Sequence, residues 1–560
     1  MALPDMKRLR RLGVLVPVFS LRRDDDLGIG DTRALREMVD WASQHRVGFL
    51  QLLPINETGV DNSPYNAISS VALDPVLLNM EELPGMTKRQ IRAAEKKHQT
   101  KSDELVDYDS SNAAKWDVLE QGFRHFLLHG NGRDALELFQ RDEKDWLLPY
   151  CKFRYLMELA GTERWNEWPE NYNTAEKAEV YLASVDQDEL EERLEFYAWV
   201  QWHAFNQWRE LRAYAESQDV KLMGDIPIGV SYASADVFFE PQWFDLSLSG
   251  GSPPETVFKD DAFACQWGQN WGIPLYDWER LAQDDYRWWR RRIEKLTDVF
   301  HIFRIDHILG FYRIYSFPWR PDDNATYLGL SEEEAKALTG GSLPGFSPRP
   351  DDTQKNRDAN LSDGDRYLKM VLDAAGDGEV VGEDLGCVPD YVRPHLERLG
   401  IAGFKVCHWE SMGDGRAVKG SDYPQCSFAT YATHDHDPIP ALWNTLVGML
   451  GGLEHEGAMR GLALLSDFAG LPKGKTMHDY ARYGSVVKWS LLGSLLKSNA
   501  DYAAVMITDV IDSEKRINIP GTVGGENWRY RLPWKLEEMP GPIQSECQRL
   551  TELIHIAGRG

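Results

Sequence analysis

The sequence predicts an α/β protein: a (β/α)8 TIM barrel with large, mainly helical insertions between its strands. Three observations lead there. Eight short apolar runs recur along the 560 residues without the in–out alternation of a half-exposed sheet, as parallel strands covered on both faces require. Helical patterns fall between several of these runs. Three of the runs close on acidic residues, and the C-terminal ends of barrel strands are where such folds build their sites.

Taken in order, the first run is 13–18. A helix follows, with Asp31 as its cap and Leu35, Met38, Val39 and Ala42 on one face. The second run is 49–54 and the third 221–228, and the stretch between them is far longer than one crossover needs. That stretch is polar, with helical patterns at 88–98, 112–128, 146–159 and 186–217, and it reads as a helical subdomain, 84–218, inserted after the second strand. A second insertion, 245–289, is rich in Gly, Pro, Gln and Trp, and is expected to form loops over the site. The fourth run, 303–308, precedes a third insertion, 320–366, rich in Pro, Gly and Asp with a helix at 331–338. The fifth run is 379–385. Its helix, 391–399, carries Val392, Leu396 and Leu399 and stops at Gly400. Runs 404–408, 428–434 and 504–510 complete the eight, so residues 1–560 are read as a single catalytic barrel.

Composition narrows the function. Hydrophobic residues, at 42%, suffice for a large core, and aromatic content is 11% with 20 Trp and 22 Tyr. Aromatic rings suit the apolar C–H faces of sugars, although most Trp in a large protein is core. The formal charge of −26 repels nucleic acid and anionic membranes and steers no anionic substrate. It is compatible with a neutral substrate, and its plainest meaning is a solvated acidic surface. The six cysteines form no Cys-x-x-Cys, which suits thiols in a reducing compartment. The basic start, 1–11, is followed by an apolar run, 14–19, too short for a signal peptide. No stretch approaches the roughly 20 apolar residues of a membrane span. A soluble cytoplasmic protein is expected, with no nucleic-acid or membrane partner. Its oligomeric state is not legible.

The chemistry lies in three acidic motifs: Arg304-Ile305-Asp306-His307, Gly382-Glu383-Asp384-Leu385-Gly386 and Thr433-His434-Asp435-His436-Asp437. Cleaving a glycosidic bond with retention needs one carboxylate to attack the anomeric carbon and one carboxylic acid to protonate the leaving oxygen. In retaining enzymes the two stand about 5–5.5 Å apart. Asp306 and Glu383 end neighbouring strands. Arg304, two residues before Asp306, shares its strand face and can hold it ionised. Glu383 needs the opposite treatment, a neighbouring anion and partial desolvation that keep it protonated. Any one of these acids, alone, would more readily be a helix cap or a structural ion pair. Three at three strand ends, each beside His or Arg, argue for a site. His307 and His434 are placed to bond sugar hydroxyls. Asp435 and Asp437 lie on one face, and spacing does not choose between them. A metal reading of the Asp/His clusters is disfavoured because Arg304 would oppose a cation.

These residues sit within a longer series of motifs. The chain opens on Gly13-Val14-Leu15-Val16-Pro17 and Gly28-Ile29-Gly30-Asp31, then Gln51-Leu52-Leu53-Pro54 with Asp61-Asn62-Ser63-Pro64-Tyr65. Gly224-Asp225-Ile226-Pro227-Ile228, Ser234-Ala235-Asp236-Val237 and Gly251-Ser252-Pro253-Pro254 leading to Gly268-Gln269-Asn270-Trp271-Gly272 follow. Arg516-Ile517-Asn518-Ile519-Pro520-Gly521-Thr522 and Asn527-Trp528-Arg529-Tyr530-Arg531 come near the end. In this order, nearly end to end, they resemble the 4-α-glucanotransferases, the amylomaltase or disproportionating-enzyme family (glycoside hydrolase family 77). The resemblance implies that Asp306 is the nucleophile, Glu383 the general acid/base and Asp435 the transition-state stabiliser. Arg304 would orient Asp306. Asp225, His307, His434, Tyr65, Gln269 and Trp271 would contact sugars, and the loop 253–271 would arch over bound glucan.

The chain departs from the family pattern in two places: Thr508-Asp509 where many members have Gln-Asp, and His436 where Asn usually follows the His-Asp pair. The segment 312–318 and the insertion 320–366 look closer to the type 2 enzymes of plants and some bacteria. Those carry starch-binding modules ahead of the barrel, and this chain is expected to begin at the barrel without them. The implied activity is a retaining transfer of α-1,4-glucosyl or glucan units, without a cofactor, from a maltooligosaccharide or glucan donor. The acceptor is the 4-hydroxyl of glucose, maltodextrin or another glycan. The alternatives are an α-amylase-type hydrolase and a non-catalytic glucan-binding protein.

Overall fold

Eight parallel strands close into a barrel in the computed structural model, which describes residues 10–100, 104–255, 261–471, 482–522, 524–539 and 541–560. Most of the basic start (1–9) and part of the loop expected to arch over glucan (256–260) lie outside the described residues. The strands are Arg11–Leu15, Phe49–Gln51, Lys221–Ile226, Ile302–Ile305, Glu379–Gly382, Ala402–Val406, Ser427–Thr430 and Tyr502–Met506. Each pairs with the next in sequence, and the first pairs with the eighth, Gly13 opposite Ala504. The predicted (β/α)8 barrel is the fold observed.

All eight predicted runs hold a strand, but the runs extend past the strand ends. After Leu15, residues Val16 and Val18 stay buried, and after Met506 a buried helical turn, Ile507–Val510, continues the last run. The overshoot has a physical cause. Loops leaving the C-terminal mouth are covered by the insertions, so apolar character does not stop where hydrogen bonding does.

Inside the barrel the side chains stack in layers, as strand alternation dictates. Gly13 faces inward on the first strand, where a Cβ would stand 2.0 Å from the Phe49 ring. Phe49 thereby occupies the barrel axis, edge-on to Tyr502 and tilted against Phe428. Met223, Ile302, Val381, Phe404 and Phe428 fill the layer around it. Below, Arg11 pairs with Glu379 at 3.0 Å, and Tyr502 also donates to Glu379. Above, at the mouth, the layer becomes polar.

Among the described residues, the stretch between the second and third strands carries six α-helices: Lys88–His98, Tyr108–His129, Arg133–Asp142, Lys144–Ala160, Ala175–Leu182 and Gln187–Ser217. The last packs on the helix Thr32–Gln44 and on the third strand, so it is also the barrel's own crossover helix. Two buried amides on it fasten the preceding loop. Gln201 exchanges two hydrogen bonds with the Leu73 backbone, and Gln207 bonds Thr32 and the Asn79 backbone. The other insertions behave alike. Residues 245–289 run into the helix Arg287–Thr297, and 320–366 into Gln354–Ala375, two helices that pack together ahead of the fourth and fifth strands.

Read from the sequence as separate, these two insertions share one antiparallel sheet, joined through the segment 314–317. A long hairpin, Phe244–Ser252 with Gln269–Tyr276, pairs with Ile314–Phe317, which pairs with Gly345–Ser347. This sheet carries Gln269 and Trp271 to the barrel mouth. Among the described residues no helix is long and apolar enough to cross a membrane.

Candidate active site

The site begins with two neighbours in register. Asp225 on the third strand pairs with Arg304 on the fourth, and residues directly opposite in a parallel pair point the same way. The Arg304 guanidinium, buried, reaches Asp225 at 2.5 Å and Asp306 at 2.7 Å. The Tyr65 hydroxyl donates to the same Asp225 oxygen at 2.6 Å. Asp225 therefore lies under the site, and its other carboxylate oxygen is buried without a partner. Asp306 stands above, its side chain 29% exposed at the floor of the cleft.

Glu383 immediately follows the fifth strand, and its amide donates to Ile305, which ties it beside Asp306. Its carboxylate accepts the backbone N–H groups of His307 at 2.8 Å and Leu385 at 2.7 Å. The His307 bond depends on a left-handed backbone, φ 49°, uncommon for a residue with a side chain. Burial pushes the Glu383 carboxyl up to about 7; Arg304 opposes this, and the Asp306 charge adds to it.

Asp435 receives the opposite environment. Its carboxylate meets His434 at 3.3 Å and accepts from Asn518 at 2.7 Å. Burial favours its neutral form, but His434 and Asn518 outweigh burial and hold it well below the usual carboxylate range. His434 is buried and stacks on Tyr65, ring centroids 5.1 Å apart, with Trp528 tilted against both. Asp437 faces away from the cleft, to Arg516 at 3.2 Å, and the same guanidinium holds the Asp435 carbonyl at 2.5 Å. Of the two aspartates that spacing left open, Asp435 lines the cleft and Asp437 does not.

The cleft encloses about 870 Å³. Of the predicted site residues, Asp306, Glu383, Asp435, Arg304, His307, His434, Tyr65, Gln269 and Trp271 line it, and Asp225 lies beneath. The Trp271 indole meets the His307 ring edge-on at 4.9 Å and donates to the Gln269 side chain at 3.2 Å. The helical stretch supplies Arg164, Trp165 and Asn166 to the wall. Sequence reasoning assigned no role to Asn518, Arg516, Trp528 or Trp409. The first three lay inside quoted motifs, but no spacing rule connects them to Asp435.

The chain matches a family model described as 4-alpha-glucanotransferase (glycoside hydrolase family 77) over residues 16–537. It belongs to this family. Among similar proteins, the 4-alpha-glucanotransferase of Chlamydia caviae is 29% identical over 544 residues, 94% of this chain and 91% of that one. The 4-alpha-glucanotransferase DPE2 of Oryza sativa subsp. japonica is 35% identical over 342 residues, 58% of this chain and 35% of that one. The fold is shared with the amylomaltase from Streptococcus agalactiae in complex with acarbose. That structure has a TM-score of 0.76 at 24% identity and covers 98% of this chain and 100% of its own. Family and enzyme class are those expected from the motifs.

Proposed function

We propose that this chain transfers α-1,4-glucosyl or glucan units between maltooligosaccharides by double displacement. Asp306 attacks the anomeric carbon while Glu383 protonates the departing glucan oxygen. Glu383, now a carboxylate, then deprotonates the 4-hydroxyl of an acceptor glucose, maltodextrin or other glycan, which displaces Asp306. Asp435, ionised beside His434 and Asn518, stabilises the positive charge that develops on the sugar ring. One contrast carries this reading: Arg304 contacts Asp306 directly, while burial raises Glu383 to about 7. A group poised there can give a proton in one step and take one in the next.

Transfer needs water kept out while the acceptor is awaited. The hairpin bearing Gln269 and Trp271 covers one side of the cleft, and the insertion 84–218 walls another with Arg164 and Trp165. Six thiols, with Cys151, Cys407 and Cys547 buried, support a working place in a reducing cytoplasm. Incubation with maltotriose tests the reaction. Glucose plus a ladder of longer oligomers is expected, whereas glucose and maltose alone would make the enzyme a hydrolase. Glu383→Gln is expected to abolish the ladder while maltooligosaccharide binding persists.

A further inference from the structure

Away from the cleft, the described residues form a groove of about 570 Å³ between two helices of the barrel's outer wall, Ser485–Leu496 and Gln544–Ala557. Small-molecule sites run from about 300 to 1,000 Å³, so this one has room for a ligand. The first helix lines it with Ser485, Val486, Trp489 and Ser490, and the second with Ser545, Glu546 and Arg549. All lie in the first two turns of their helices. Which end of the barrel this is follows from Arg559, just past the second helix, whose Nε bonds the carbonyl of Leu496, the last residue of the first, at 2.6 Å. Both helices therefore finish together beside the start of the eighth strand, and their first turns stand at the opposite end, the one that carries the cleft.

The lining suits a sugar better than an ion. Trp489 is half-buried and held in place: the Lys488 ammonium stands 4.9 Å from its ring centroid, fixed there by the Val510 carbonyl and Asp512, both at 2.8 Å. The Trp489 indole N–H donates to nothing among the described residues. Val486, one turn earlier on the same helix face and 65% exposed, extends the apolar floor. Around this floor stand three hydroxyls, those of Ser485, Ser490 and Ser545, and one charge of each sign. Ser545 donates to Glu546 at 2.8 Å, and Arg549 spends only Nη1, on Glu552 at 2.8 Å. Glu546 and Arg549 cancel, so on a chain of formal charge −26 this groove is locally neutral and draws in neither cation nor anion. An aromatic face bordered by hydroxyls, a carboxylate and a guanidinium matches a pyranose, with its apolar C–H face and its rim of hydroxyls.

We infer that this groove is a second glucan-binding site, in which Trp489 stacks on a glucose unit of a long α-1,4-glucan while an end of that chain is worked in the cleft. A glucan held on the outer wall keeps its chain ends at a raised effective concentration beside the cleft, a gain open only to chains long enough to engage both sites. A trisaccharide is too short for that. The choice of glucan as ligand rests on the transfer reading above; the groove and its chemistry do not.

The test combines electrophoresis in native gels containing glycogen with kinetics on glycogen and on maltotriose. Trp489→Ala is expected to weaken retardation by glycogen at least about threefold and to raise KM for glycogen by a similar factor. Its kcat, and its KM for maltotriose, should stay within about 1.5-fold of the parent. A parent chain that glycogen does not retard, or a variant retarded as strongly as the parent, would overturn the site. Equal losses on glycogen and maltotriose would also overturn it, since the change would then act on the cleft through the fold. If the parent makes no ladder from maltotriose, the transfer reading falls, and retardation still decides the groove. Should Trp489→Ala lose its thermal transition, the decision passes to Val486→Asp, an exposed position in a first helical turn that accepts an acid. That variant is expected to weaken retardation at least about twofold, and unchanged retardation would sink the proposal.

Discussion

Glu383 carries a conflict that can be measured. In the proposed reaction it must keep a proton near neutrality, and the fold buries it, at 7% exposure, beside Asp306. Its ordinary value of 4.5 rises to about 7. Between those pH values the unfolded chain has lost the proton and the folded chain has kept it, so stability falls as pH rises through this window. The proposed acid function and the penalty have one source. Glu383→Gln removes the titration, and the variant is expected to gain on the parent by up to about 3 kcal/mol between pH 4.5 and pH 8. Urea midpoints at pH 4.5 and pH 8 check this, and an equal difference at both would refute the assignment. In the parent, kcat/KM should fall above about pH 7 as Glu383 ionises, since the first step needs its proton.

At the scale of elements, what the sequence revealed depended on burial. Parallel strands with both faces covered are near-continuous apolar runs, so all eight stood out, as did the Asp31 cap, whose side chain accepts from the Ala34 amide. The hairpin Phe244–Ser252 and Gln269–Tyr276 did not stand out as strands. It lines a wet cleft and carries Gly, Ser, Asn and Gln where a core strand would carry Val and Ile. Asp306 and Glu383 were legible because they end strands. Asp225 was read as a sugar contact, yet its place beneath Tyr65 and Arg304 is a matter of register no motif reports. The strand core itself yields a prediction. Gly13→Ala would push a methyl into the Phe49 ring, which Tyr502 and Phe428 leave little room to move. The expected loss is about 1–3 kcal/mol by overpacking. Phe49→Leu in the same chain should return at least about 1 kcal/mol of it, a coupling that a double-mutant cycle reads. Additive losses would mean that the two do not meet on the barrel axis.

For the whole molecule the decisive contact is the seam. A barrel has no sheet edge only because Arg11–Leu15 pairs with Tyr502–Met506, strands from opposite ends of the chain. At the N-terminal end of that seam sits Arg559, fully buried. Its Nε donates to the Leu496 carbonyl at 2.6 Å and its Nη2 to Ser498 and Ala500 at 2.8 Å each. Its Nη1 reaches the carbonyls of Arg11 at 3.2 Å and Asp501 at 3.3 Å, one beside each seam strand. One planar side chain thus satisfies carbonyls from the loop before the eighth strand and the start of the first. The cleft carboxylates, to which we assign catalysis, are at the other end of the barrel, so on this proposal stability and chemistry separate along its axis. Arg559→Met keeps the stem and removes every donor; Leu496 and Ser498 keep Arg10 and Asp501 keeps the Arg11 amide, while the buried carbonyl of Ala500 loses the guanidinium. A loss of about 2–4 kcal/mol is expected, read as a lower urea midpoint. Transfer from maltotriose at 25 °C should keep the parent's kcat, since nothing at the mouth depends on this end. A variant that unfolds at the parent's midpoint would show that strand pairing alone closes the barrel.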